Sequence, residues 1–95
     1  MFTTLAEVSL GDLPTFISIF ATAGARMRQK HGSQRAEVLV SREDPSQAYV
    51  LIDWESEDHY GRFRADPEVP GTMKAGGIKA PPRFVPLERV AQFPA

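Results

Sequence analysis

Few side chains in this sequence can do chemistry. It holds two histidines and no cysteine. His59 is the candidate general base, because an imidazole with a pKa of ~6.5 takes up a proton near neutrality. Tyr60, next to it, can donate a hydrogen bond to a ligand carbonyl. Trp54, the single tryptophan, can stack on a flat ligand and donate its one N–H. Arg83 and Lys79 lie in the stretch MKAGGIKAPPRF, which reads as a flap able to bring a cation to an anionic ligand. Each has a plainer role as well. A histidine in the first turn of a helix is ordinarily a surface residue, and a tryptophan at a strand end can be a core anchor. His31 reads as a helix-end residue. Without cysteine there is no disulfide, thiolate nucleophile or thiolate-bound metal. No set of His, Asp and Glu residues has metal-ligand spacing. The glycine pair in the flap lacks the spacing of a phosphate-binding loop.

These residues must be positioned by a fold that alternates two periodicities. Residues 1–10, MFTTLAEVSL, read as a strand with Phe2, Thr4, Ala6, Val8 and Leu10 on one face and Leu5 and Glu7 on the other. Asp12 is a plausible N-cap, and Pro14 falls in the first turn, where its missing N–H costs nothing. The following stretch, LPTFISIFATAGARMRQKHG, reads as one helix, with Leu13, Phe16, Ile17, Phe20, Gly24 and Met27 on one side. Gly32 is its stop signal. RAEVLVS and AYVLIDW are strands joined by a turn built on Asp44-Pro45. Ser56 caps a second helix that Asp66-Pro67 stops or restarts, with Glu57 and Asp58 in its acid-favouring first turn. A further short helical piece, broken near Pro70-Gly71, and a last strand over residues 83–93 complete the chain. Pro86 marks that strand as an edge.

The order βαββαβ predicts a ferredoxin-like α+β fold over residues 1–95: a four-stranded antiparallel sheet, order 4-1-3-2, with the helices on one face. The sheet then presents Ala6, Val8, Val38, Ile52 and Trp54 to the helices, and Phe20, Tyr60 and Phe63 roof a cavity suited to a flat apolar ligand. Asp53 and Glu55 flank Trp54 and so face away from that cavity. They read as interface residues, paired with Arg89 or Arg42. Two helices cover only one face. The other carries Leu5, Leu39, Tyr49, Leu51 and one of Phe84 or Val85, a patch that predicts a homodimer through the open sheet face.

The totals agree with a small globular domain. Charged residues make up 24% of the chain and the net charge is −1, which gives no electrostatic drive toward nucleic acid or an acidic membrane. No apolar run approaches the ~20 residues that span a bilayer. The N-terminus lacks a basic n-region, so the expected location is cytoplasmic.

The pattern VLIDWESEDHYGRF…DPEV…MKAGG, an apolar strand followed by W-x-S, an amphipathic helix and D-P, resembles the antibiotic biosynthesis monooxygenase-like family. The resemblance runs through nearly the whole chain in element order, with Trp54-Glu55-Ser56 as its sharpest motif. It implies a dimeric α+β barrel. It also implies a cofactor-independent monooxygenase acting with O₂ on an aromatic or polyketide-like molecule, with Trp54 lining the cavity. Active members also use an asparagine. In the haem-degrading branch it lies on the first strand, at the position that corresponds to Val8 here, and the chain contains no asparagine. The haem-degrading branch places an iron-binding histidine where Met73 falls. The site expected from residues and resemblance together has His59 and Trp54 as the reacting pair. Val8, Phe20, Ile52, Tyr60, Phe63, Met73 and Arg83 form the substrate contacts, with no metal and no cofactor. Two other functions fit the same frame: a non-catalytic carrier of a small aromatic molecule, and an isomerase, cyclase or decarboxylase that needs the base but not O₂.

Overall fold

A computed structural model describes residues 2–95 of the chain; Met1, placed in the first strand by its sequence, lies outside the described residues. Eight elements follow one another: β1 (Phe2–Ser9), α1 (Leu13–Ala21), α2 (Ala23–Lys30), β2 (Ser33–Val40), β3 (Gln47–Trp54), α3 (Glu57–Ala65), α4 (Val69–Ala75) and β4 (Arg83–Glu88). The strands form one antiparallel sheet in the order β2-β3-β1-β4, the ferredoxin-like arrangement expected from the element order.

Register fixes the two faces. Thr4, Ala6 and Val8 stand opposite Ile52, Val50 and Ala48, and this column is buried under the helices with Leu10, Phe16, Trp54, Phe63 and Val69. Burying these side chains stabilises the fold by roughly 1.5–3 kcal/mol for each large one. On the opposite face Leu5 pairs across with Leu51 and Val85. Phe84 belongs to the helix side and Val85 to the open face, which resolves that alternative.

The first expected helix is a pair, α1 and α2, whereas α3 and α4 are the second helix and the further short piece that the sequence predicts. Asp12 caps α1 by accepting from the Thr15 N–H at 2.9 Å. Helix α1 ends at Thr22, whose hydroxyl turns back onto the Ser18 carbonyl at 2.8 Å; a side chain competing for the backbone in this way bends or ends a helix. The chain resumes in α2 at Ala23. Five of the six residues placed on one side, Leu13, Phe16, Phe20, Gly24 and Met27, do face the core or the cavity, and Ile17 alone departs. Ile17 is 42% exposed, and Ile19 faces inward in its place. Gly32 closes α2 with φ +78°, the left-handed conformation expected after a helix C-terminus. Ser56 caps α3. Helix α4 runs through Pro70-Gly71 without a break: Pro70 lies in its first turn, where no backbone N–H is needed. Strand β4 stops at Glu88, opposite Phe2, the first described residue of β1. Residues 89–95 form no strand, although the sequence predicts one to 93.

Candidate functional site

Between the sheet and the four helices lies a cavity of about 80 Å³. Its floor is Ala6, Val8, Val50 and Ile52; its walls include Phe16, Phe20, Met27, Phe63, Met73 and Phe84. The space exists because small residues stand where large ones would close it: Ala6 on β1, Gly24 on α2 and Gly76 after α4. Its wall is almost wholly apolar. Among the described residues, no buried side-chain nitrogen or oxygen lacks a hydrogen-bond partner. Arg28 and Thr72 are the polar side chains on this wall, and no carboxylate or imidazole among the described residues lines it.

Five of the expected contacts, Val8, Phe20, Ile52, Phe63 and Met73, are brought together on this wall. The other four lie elsewhere. Trp54 is fully buried on the helix side, but behind the wall rather than in it. Its indole packs 4.9 Å from the Phe63 ring and 5.7 Å from Tyr60. The Nε1–H donates to the Thr4 hydroxyl at 3.0 Å, which explains a polar residue in an otherwise apolar column. Tyr60 joins Trp54, Phe2 and Phe84 in an aromatic cluster, and its hydroxyl accepts from Arg64 at 2.8 Å.

His59 lies outside the cavity. Its Nδ1 meets the Ser56 hydroxyl at 2.6 Å, its Nε2 stands 3.3 Å from a Glu55 carboxylate oxygen, and its ring rests on Gly32. Arg83 is on the open sheet face, paired with Glu7. Arg89 reaches Asp53 on that face at 3.2 Å, one of the two pairings the sequence offered for it. Thr3 donates to the same carboxylate at 2.7 Å. Burial pushes the Asp53 pKa up, but the Thr3 and Arg89 hydrogen bonds outweigh it and the net direction is down.

The sequence reading missed Arg28. This residue lines the cavity, its guanidinium carbon 3.6 Å from the centre of the Phe20 ring. Its Nη1 donates to the Phe20 carbonyl at 3.0 Å. Burial holds its pKa below the usual arginine value. A second polar cluster lies at the far end of α2. His31 and Lys30 both bond one Asp66 oxygen, at 2.7 and 3.0 Å, and hold the end of α2 against the α3–α4 junction. The His31 hydrogen bond, the Glu68 backbone N–H and Lys30 together keep the Asp66 carboxyl far below its ordinary pKa. Among the described residues, no three His, Cys, Asp or Glu side chains gather as a metal would require.

A ferredoxin-like sheet roofed by helices over an apolar cavity defines a two-layer α+β protein. The sequence matches the antibiotic biosynthesis monooxygenase family over residues 3–75, and the chain belongs to that family. Solved structures share the fold at low identity. SnoaB, a cofactor-independent oxygenase from Streptomyces nogalater, superposes with a TM-score of 0.75 at 18% identity, covering 99% of this chain and 96% of that one. A Bordetella bronchiseptica protein assigned to the antibiotic biosynthesis monooxygenases gives 0.79 at 20%, covering 95% and 97%. One from Deinococcus radiodurans gives 0.73 at 13%, covering 100% and 98%. No curated protein matches the sequence significantly. No helix among the described residues is long and apolar enough to cross a membrane.

Proposed function

We propose that this protein is a cofactor-independent monooxygenase acting on a small aromatic molecule held in the cavity between sheet and helices. The observation that carries this reading is the apolar cavity between sheet and helices in a chain of this family. A dry, shaped site orients an electron-rich ring and removes the water that would solvate its anion. The ionised substrate supplies the electrons. Its carbanion adds to O₂ to give a peroxide, which takes up a proton. Loss of water from that hydroperoxide leaves one oxygen on the substrate as a carbonyl. The chain contributes orientation, exclusion of water and stabilisation of charge. Trp54 acts behind the wall, holding Phe63 in place.

Oxygen uptake with a panel of single-ring phenols tests the reading. Uptake matched by one oxygen atom from O₂ in the product supports it. Met73→Trp, which fills the cavity from its half-buried rim, is expected to abolish uptake while the protein stays folded. His59→Ala separates two sources of the base. Unchanged uptake is expected, because His59 stands outside the cavity; a large loss would assign it the proton. A carrier without turnover is favoured by one specific observation, the absence of any carboxylate or imidazole among the described residues on the wall. Quenching of Trp54 fluorescence by the same compounds, with no uptake, would establish it. An isomerase or cyclase needs the very base the cavity lacks.

The protein is further proposed to act as a homodimer closed across the open sheet face. Leu5, Tyr49, Leu51 and Val85 are only half-buried there, and Leu39 and Leu87 are exposed. A contiguous apolar face of this kind is characteristic of a subunit contact.

A further inference from the structure

The geometry points to Arg28 as the anion-recognition group of the cavity, and to a single-ring phenol as the molecule whose ionised oxygen it meets. This rests on the cavity being the substrate site proposed above.

Three observations support the assignment. Arg28 is half-buried, yet among the described residues no carboxylate pairs with it. A partly desolvated cation without a counter-ion is held at a cost unless a ligand supplies the charge. Arg28 is also positioned rather than loose. Stacking on Phe20 fixes its plane and the Phe20 carbonyl takes one N–H, which leaves the rest of a five-donor fork for an oxyanion. Finally, the chain makes room for it. A Cβ at Gly24 would stand 3.2 Å from Nη1 and 3.1 Å from the Ile19 carbonyl oxygen, so any larger residue there crowds the guanidinium.

The chemistry of the wall narrows the ligand. With no carboxylate or imidazole among the described residues lining the cavity, ionisation has to be favoured by stabilising the anion, and Arg28 is the one charged side chain on the wall. Arg83, the cation expected from the sequence, is instead engaged with Glu7 on the opposite face of the sheet. A cavity of about 80 Å³ is also well short of the ~300 Å³ at which drug-sized ligand pockets begin. One ring suits it better than three fused rings.

Two probes of nearly equal shape test the proposal: para-nitrophenol, whose ionisation is read by the colour of its phenolate, and nitrobenzene, which cannot ionise. Bound para-nitrophenol is expected to ionise about one pH unit lower than the free compound, a tenfold preference for the anion. Arg28→Met, which keeps the packing on Phe20, should abolish that shift and leave nitrobenzene binding unchanged. Arg28→Lys should retain part of the shift. Gly24→Ala, which crowds Nη1 but keeps the charge, should weaken phenolate binding selectively; these two variants decide the matter if Arg28→Met does not fold. Nitrobenzene binding without any phenolate preference, or an equal shift in Arg28→Met, would overturn the role of Arg28 alone. If neither probe bound the wild-type protein, the cavity would not be the binding site and both readings would fall. Oxygen is not needed, so failure of the oxygenase reading is scored separately.

Discussion

Gly32 holds a φ of +78° under the His59 ring, where an added Cβ would lie 2.5 Å from Cδ2. Gly32→Ala therefore meets two costs, a left-handed backbone and a steric overlap. It is expected to destabilise by about 1–3 kcal/mol. Urea titration will read this, and pairing it with His59→Ala should restore the part due to overlap. Trp54→Phe removes the N–H that satisfies the buried Thr4 hydroxyl and leaves a void. A loss of about 2–4 kcal/mol is expected, with only a secondary effect on ligand affinity, since the indole does not touch the cavity. At this scale the sequence was legible where parity decides. Val8 and Ile52 face the helices because strands alternate, and Phe20 and Phe63 face the sheet because helices repeat. Parity also put Trp54 on the helix side. It carries no information on position along the sheet, and that is why Trp54 sits behind the cavity wall. Arg28 was illegible for another reason: an arginine near a helix C-terminus ordinarily complements the macrodipole. Only the turn at Thr22 folds it back onto Phe20.

Among the elements, the breaks matter most. The cavity lies where α2 and α4 approach each other, and the cluster of His31, Lys30 and Asp66 ties the end of α2 to the start of the α4 segment. Asp66 has a depressed pKa in the fold. Its stabilisation is complete above the ordinary carboxylate pKa of 3.8 and is lost as pH falls through the folded value. Stability measured by urea midpoint is therefore expected to fall as pH drops below about 4. Asp66→Asn should be less stable at neutral pH and show a shallower acid slope. Some slope should remain, because Asp53 and Asp12 are depressed in the same direction. The elements were predicted in type and order from caps and breakers: Asp12, Ser56 and Gly32 each do what their residue type implies. The bend at Thr22 was not, because a threonine in a helix gives no sequence sign of which carbonyl its hydroxyl will take. Pro70-Gly71 shows the opposite case, a strong breaker pair made harmless by falling at a helix start.

For the whole molecule, the open face sets the expectation. The protein should elute at the size of a dimer, and Leu51→Lys, at the centre of that face, should elute as a monomer. The dimer's thermal midpoint should rise with protein concentration, and that of the variant should not. The face was visible in the sequence because β3 is apolar on both parities while the helical periodicity supplies only one cover. What the strand pattern did not show was the end of β4. Val90 and Phe93 follow it in no strand, 92% and 79% exposed.

Pro86 sits in β4, which has a neighbour only on its β1 side. A strand arriving from outside would find one rung of the ladder without a donor, so fibre-like growth is frustrated at that border. Lateral addition of another strand at that border is therefore disfavoured, which separates edge pairing from contact through the broad apolar face.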